Sequence, residues 1–208
     1  MHPSGRNAFE DDATLAFYDR EAAAYADRSR SGESIRLAAF IASLPPGARV
    51  LDLGCGAGQD AAVMLAAGLR VTPLDGSPGL AAEATRRLGR PVRVMRFADL
   101  DDDQCFEGVW ANASLLHVPM EGLAAILGRV WRALAPGGVL EASFKAGDGP
   151  GRDQLGRYYN FPSERRLEDA FRAAAVWADL SIEQVRGGGY DGVERCWLVC
   201  RAAKPAAP

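Results

Sequence analysis

Apolar residues recur at helical spacing near the start of the chain. Farther on they gather into short runs separated by longer amphipathic stretches. Leu15, Tyr18, Ala22 and Tyr25 share one stripe, which predicts a helix over residues 13–28. A second helix is expected over residues 33–43. It stops at Leu44-Pro45-Pro46-Gly47, where proline lacks the amide that the next turn needs. Arg49-Val50-Leu51-Asp52-Leu53 then reads as a buried strand, followed by a glycine loop and an alanine-rich helix over residues 59–67. Residues 69–74 form a second strand. Residues 77–88 form a helix with Ser77 as its N-cap and Pro78 at its first position, where a missing N–H does no harm. Strands three to five are predicted over residues 91–97, 106–111 and 139–144, with a helix over residues 121–134 ended by Pro136-Gly137-Gly138.

Strand–helix alternation of this kind implies an α/β, doubly wound, mostly parallel sheet with helices on both faces. After a glycine- and charge-rich stretch (146–161) come a helix over residues 163–175 and strands over residues 180–186 and 193–201. A short turn through Gly187-Gly188-Gly189 makes this pair antiparallel. Seven strands result, with the last one antiparallel. The length suits one domain: an N-terminal helical segment (1–46), the α/β core (47–202) and a frayed tail (203–208).

Composition narrows the function. A net charge of −3 argues against a nucleic-acid partner, which usually needs a basic surplus. The polar N-terminus and the lack of a long apolar run predict no membrane partner and a cytoplasmic protein. Cys55, Cys105, Cys196 and Cys200 form no C-x-x-C pair, so a zinc site is not expected. Cys196 and Cys200, four apart on one strand, lie about 13 Å apart, too far for a disulfide. Reduced thiols fit a cytoplasm. Lysine occurs only at Lys145 and Lys204 among many arginines, a coding bias suggestive of a bacterial source.

The segment Asp52-Leu53-Gly54-Cys55-Gly56-Ala57-Gly58 carries most of the chemistry. Alternate glycines after a strand allow a sharp turn and a close ligand approach, and the next helix offers its N-terminal amides to an anionic group. A dinucleotide-dependent oxidoreductase uses the same layout, but its G-x-G-x-x-G would need glycine where Gln59 stands. Asp52, a carboxylate inside a parallel strand, is expensive unless paired, and at the strand's end it can hold a cationic amino group or bond loop amides. Asp75 follows 21 residues after Gly54, at the end of the second strand, where an acid accepts ribose hydroxyls. Asp99 ends the third strand, where it would accept from an adenine amino group. Asp101-Asp102-Asp103 reads as a solvated turn.

As an ordered set, the glycine loop, Asp75 and Asp99 resemble the class I S-adenosylmethionine-dependent methyltransferase family. Trp110-Ala111-Asn112-Ala113-Ser114-Leu115-Leu116-His117-Val118-Pro119 resembles its fourth-strand segment, and Leu134-Ala135-Pro136-Gly137-Gly138-Val139-Leu140 its turn into strand five. The resemblance implies a Rossmann-like fold and S-adenosyl-L-methionine as cofactor. Gly54, Cys55 and Gly56 would lie against its methionine part and Asp75 would bind its ribose. Gly76, Ser77, Asp99 and Leu100 would surround its adenine. Gly58, Gln59, Asp60, Ala98 and Ala113 complete the expected cofactor set, although Asp60 also suits a helix start simply by opposing its dipole. The opening Phe17-Tyr18-Asp19-Arg20 with Tyr25 is similar to the lid helix of small-molecule members, where tyrosine covers the cofactor. Among subgroups, the Leu-Leu-His-Val-Pro run and Ser143-Phe144-Lys145 look most like bacterial tellurite-resistance-like methyltransferases.

The acceptor implied is a small molecule, methylated on oxygen, nitrogen, sulfur or a chalcogen by in-line displacement. A monomer or homodimer would act on it. His117, just past the fourth strand, is the candidate general base; a histidine that only packs and bonds to the loop is the alternative. Arg152, Arg157, Tyr158 and Tyr159 would belong to a flexible lid over substrate or to a solvated loop. No metal is expected, because Asn112 stands alone after strand four and strand five ends in Lys145. Two other readings stay open: a non-catalytic cofactor-binding protein and a nucleotide-dependent oxidoreductase.

Overall fold

The computed structural model describes residues 9–27, 34–188 and 193–207. Three helices open the chain: α1 (Asp12–Arg20), α2 (Ala22–Ala26) and α3 (Ile35–Ala42). The core then alternates β1 (Arg49–Leu53), α4 (Gln59–Ala66), β2 (Arg70–Asp75), α5 (Pro78–Leu88), β3 (Arg93–Val94), β4 (Phe106–Ala111), α6 (Met120–Ala133) and β5 (Leu134–Lys145). A hairpin of β6 (Gly151–Arg152) and β7 (Tyr158–Tyr159) follows, then α7 (Glu164–Ala174), β8 (Asp179–Gly188) and β9 (Glu194–Ala203). The main sheet runs β3-β2-β1-β4-β5-β9-β8, and β9 alone runs opposite to the other six strands. That is the α/β, doubly wound, seven-stranded arrangement expected, although β9 sits inside the sheet and β8 forms its edge.

Both faces of the central strands are buried, as a parallel sheet requires. Leu51, Leu53, Val109, Ala111 and Leu140 pack with Leu123, Ile126, Leu127 and Val130 of α6. Val50 and Trp110 point the other way, against Leu37 and Phe40 of α3 and Ala61 and Met64 of α4. Local signals explain the helix starts. Asp11, Ser34, Ser77 and Ser163 each accept an amide of the following turn.

Several boundaries differ from expectation. The single helix over residues 13–28 is two, broken at Glu21 (φ −94°, ψ 8°); Arg28 and the start of the second helix at Glu33 lie outside the described residues. Strand three keeps only Arg93–Val94, and the chain turns through a 3₁₀ segment, Phe97–Asp99. The last strands do pair antiparallel, but Gly189 of their turn lies outside the described residues. The 203–208 tail is held rather than frayed as far as Pro205. Buried Lys204 donates from Nζ to the Trp131 and Leu134 carbonyls, and the Pro205 carbonyl accepts from Gly137. Within residues 146–161, Arg152, Arg157, Tyr158 and Tyr159, expected in a flexible lid or a solvated loop, lie on or beside the β6–β7 hairpin, with Arg157 fully buried and Tyr159 nearly so.

Candidate active site

A crevice opens outside the carboxyl ends of β1, β2 and β4, where the strand order reverses between β1 and β4 and ligands bind in open α/β sheets. The glycine loop forms its floor. Gly54, Gly56 and Gly58 have φ of 77°, 56° and 79°, a region costly for any residue with a Cβ. The Gly54 and Cys55 amides both donate to the Leu74 carbonyl, tying the loop to β2 (2.8 and 2.9 Å).

Of the expected residues, Tyr18, Tyr25, Asp52, Gly54, Cys55, Gly56, Asp60, Asp75, Gly76, Ala113 and His117 line the crevice. Asp75 accepts from the Gly56 amide at 2.8 Å and the Ser77 amide at 2.9 Å. Burial nevertheless pushes its carboxyl up to about 6, and those amides recover only part of the penalty. Asp52 is buried at the end of β1 beside the loop. Burial, with Asp52 and Asp75 nearby, also drives the Cys55 thiol far upward, so it stays protonated and inert. Asp60 does more than oppose a dipole: its carboxylate accepts from Trp110 Nε1 (2.9 Å) and Asn112 Nδ2 (3.1 Å), fastening α4 to β4.

Six expected contacts stand elsewhere. Gly58 is the left-handed N-cap of α4, packed on Ala84 and Leu88, and Gln59 begins that helix. Ser77 bonds to Asp75, Leu80 and Asp19 rather than facing the cavity. Leu100 is a core residue, Ala98 is half-buried in the 3₁₀ turn and Asp99 is exposed. Because β3 ends early, that turn sends Phe97 toward the cavity and Asp99 outward.

The sequence reading also missed Glu10, Thr14, Phe97 and Ser114 as lining residues. Glu10 accepts the Phe97 amide (2.5 Å) and pairs with Arg96. The Ser114 hydroxyl is buried without a hydrogen-bond partner, and a Cβ on Gly54 would collide with this serine. Its position inside the quoted strand-four segment was the available signal; nothing in the pattern marked Glu10 or Thr14.

The roof is the α1–α2 segment. Tyr25 covers Gly56, where a Cβ would meet its ring at 3.3 Å, and Tyr18 packs edge-on against Tyr25. Tyr18 meets His117 Nε2 at 3.0 Å, while His117 Nδ1 lies 2.5 Å from the Tyr158 carbonyl oxygen. Burial pushes His117 down to about 4, only partly offset by that carbonyl. Arg157 Nη1 donates to the Tyr18 oxygen at 3.0 Å, and its Nε and Nη2 fork onto Asp153 at 2.9 and 2.6 Å. Against the cost of burial, Tyr18, Tyr159 and Asp153 keep that guanidinium charged.

The cradle fits S-adenosylmethionine. The glycine loop leaves room that a Cβ would fill, the Ser114 hydroxyl has no partner, and the lining carboxylates Asp52 and Asp75 offer acceptors of the kind an ammonium and a ribose require. Among the described residues no cluster of His, Cys, Asp or Glu could hold a metal ion, and no helix is long and apolar enough to cross a membrane.

Residues 50–138 match a family model described as a methyltransferase domain. A trans-aconitate 2-methyltransferase of Methylobacterium nodulans is 41% identical over 96 residues, covering 45% of this chain and 36% of that protein. Another, of Acidovorax ebreus, is 32% identical over 160 residues, or 76% of this chain and 61% of that protein. The chain thus spans less than two thirds of these relatives' lengths. Among solved structures, the Burkholderia thailandensis 1,6-didemethyltoxoflavin-N1-methyltransferase, with bound 1,6-didemethyltoxoflavin and S-adenosylhomocysteine, superposes with a TM-score of 0.72. It is 27% identical and covers 93% of this chain and 88% of its own. The matched domain, the strand order and this likeness agree in supporting a class I S-adenosylmethionine-dependent methyltransferase.

Proposed function

We propose that the protein transfers a methyl group from S-adenosylmethionine to a small-molecule acceptor. The observation that carries this reading is the convergence of Asp52, Asp75, the glycine loop and the unpartnered Ser114 hydroxyl under a tyrosine roof. Asp52 would take the cofactor's ammonium and Asp75 its ribose hydroxyls, with Gly54 and Gly56 against the methionine chain. Gly76 and Phe97 replace the exposed Asp99 as the nearest walls for the adenine. The bound cofactor supplies an electrophilic methyl on a sulfonium, so the protein's work is placement and exclusion of water.

Tyr18, Tyr25 and the β6–β7 hairpin provide that closure. His117 is a poor direct base, since its Nε2 already faces the Tyr18 hydroxyl and burial favours the neutral ring. Where an acceptor has a proton to lose, the Tyr18 oxygen is the polar atom placed to accept its hydrogen bond.

This reading also places the protein in a bacterial cytoplasm, as a monomer or homodimer on a diffusible acceptor, with no nucleic-acid or membrane partner. The four cysteines are unpaired thiols, and the relatives named above are bacterial. The tellurite-type likeness stays an expectation resting on Leu115–His117, Val118, Pro119 and the end of β5. Calorimetric titration with S-adenosylhomocysteine tests the reading. One-to-one binding is expected, with no heat from a nicotinamide dinucleotide. The reverse result would restore the oxidoreductase, and tight binding without methyl transfer to any of a broad acceptor panel would favour a non-catalytic binder.

A further inference from the structure

The polar wall of the crevice has a fixed direction of hydrogen bonding. A backbone carbonyl only accepts, so His117 Nδ1, 2.5 Å from the Tyr158 oxygen, carries the ring's proton. The buried ring is neutral, which leaves Nε2 a bare lone pair. Tyr18 lies 3.0 Å from that lone pair and must point its hydroxyl hydrogen at it. Arg157, which has no acceptor, donates to the same oxygen. A phenol oxygen whose hydrogen is committed and one of whose acceptor positions is filled can only accept once more, and Tyr18 lines the crevice.

The remaining charged lining has the same polarity. Glu10, Asp11, Asp52, Asp60 and Asp75 are carboxylates, and none of the described lining residues is lysine or arginine. The cations near the wall are already engaged. Arg157 is held by Asp153 Oδ2, Lys145 sits against the Tyr159 ring, 4.1 Å from its centroid, and Arg96, Arg152 and Arg36 pair with Glu10, Asp11 and Glu141.

We propose that the methyl acceptor is an uncharged N–H or O–H compound that donates a hydrogen bond to the Tyr18 oxygen, and that carboxylates and phosphates are rejected. The inference rests on the methyl-transfer reading and goes further, because it separates this chain from the carboxylate acid named for its trans-aconitate relatives. Arg157 is the positioning residue: filling one acceptor site of Tyr18, it holds the hydroxyl on His117 and leaves a single lone pair facing the acceptor. A site built to receive a donor discriminates strongly, since an acceptor lacking the hydrogen leaves a buried oxygen unmet, and an anion adds repulsion.

The test uses the intact chain saturated with S-adenosylhomocysteine, titrated with aniline, phenol, N,N-dimethylaniline and benzoate and followed by NMR. Aniline or phenol is expected to bind at least about tenfold tighter than the other two, a preference that Tyr18→Phe removes. Aniline ahead of phenol points to a nitrogen acceptor, and the opposite order to an oxygen acceptor. Nitrogen-15 spectra of His117 in the unliganded protein should show Nδ1 protonated and Nε2 bare at neutral pH, a readout that stands even if Tyr18→Phe misfolds. Benzoate binding as well as aniline, a preference unchanged in Tyr18→Phe, no binding by any of the four, or the other tautomer would each overturn the proposal. Failure to bind S-adenosylhomocysteine would instead remove the cofactor reading on which it stands.

Discussion

At the residue scale, Asp75 shows how a functional group is held at a thermodynamic disadvantage. Two amides accompany it, yet burial still lifts it to about 6, so its ionised form is better served by a ligand that adds donors. Asp75→Ala should weaken S-adenosylhomocysteine binding by about 1.5–3 kcal/mol in calorimetry, the range for hydrogen bonds to a charged group. Equal affinity in the variant would refute the ribose assignment. Gly54→Ala should be worse than its size suggests, because the added methyl meets Ser114 at a φ of 77°. We expect a loss of about 2 kcal/mol or more in urea unfolding together with lost cofactor binding. Both residues were legible in the sequence for a reason: a backbone that must turn left-handed, and an acid at a strand tip, leave few alternatives. Asp99 stands exposed and off the crevice lining; strand-end logic assumes that the strand lasts. With β3 reduced to Arg93–Val94, the 3₁₀ turn gives its inward position to Phe97.

At the element scale, the lid is seated on glycines. Beyond Gly56 under Tyr25, Gly76 faces Leu15, Gly122 receives Phe9, and Gly79 lets the Asp19 backbone approach α5 so closely that a Cβ would lie 2.8 Å from its carbonyl oxygen. Asp19 also accepts from the Gly79 amide (2.6 Å) and the Ser77 hydroxyl (3.2 Å), placing a carboxylate at the positive end of α5. Gly79→Ala therefore pulls two ways. It favours α5 by up to about 1 kcal/mol in intrinsic propensity while lifting α1–α2 from its seat. The expected result is a melting temperature equal or higher, with cofactor affinity reduced about tenfold or more; unaltered affinity would mean that the lid tolerates the shift. The cap at Ser77, and the alternation that builds the sheet, were readable from local pattern because local physics sets them. The β6–β7 hairpin was not. Its strands are two residues each, and what orders it is non-local: Arg157 on Tyr18, Arg152 on Asp11, and the Tyr158 amide on Thr14.

At the scale of the whole molecule, two buried groups at one crevice work against each other as pH changes. Asp75 titrates near 6 when folded against an ordinary 3.8. The folded state binds the extra proton, and the stability this gives is complete below 3.8 and lost as pH rises through 6. His117 titrates near 4 against 6.5. The unfolded state binds the extra proton, so its contribution is complete above 6.5 and lost as pH falls through 4. Each amounts to about 3 kcal/mol, and over the shared window from about pH 4 to 6 they nearly cancel in the unliganded protein. Removing either partner should expose the other. His117→Asn is expected to lose stability, relative to the wild type, as pH rises across that window, and Asp75→Asn to gain it; urea unfolding at pH 4, 5 and 6 reads both. Cofactor binding should break the balance. Ribose hydroxyls donate to the ionised carboxylate, so the complex lowers Asp75, and affinity should climb with pH up to about 6 and then level off. The thermal shift produced by S-adenosylhomocysteine should grow over that range in the wild type and stay flat in Asp75→Asn. A shift that is constant from pH 4 to 7 in the wild type would show that Asp75 is already ionised without ligand, and that the crevice is wetter than its packing implies.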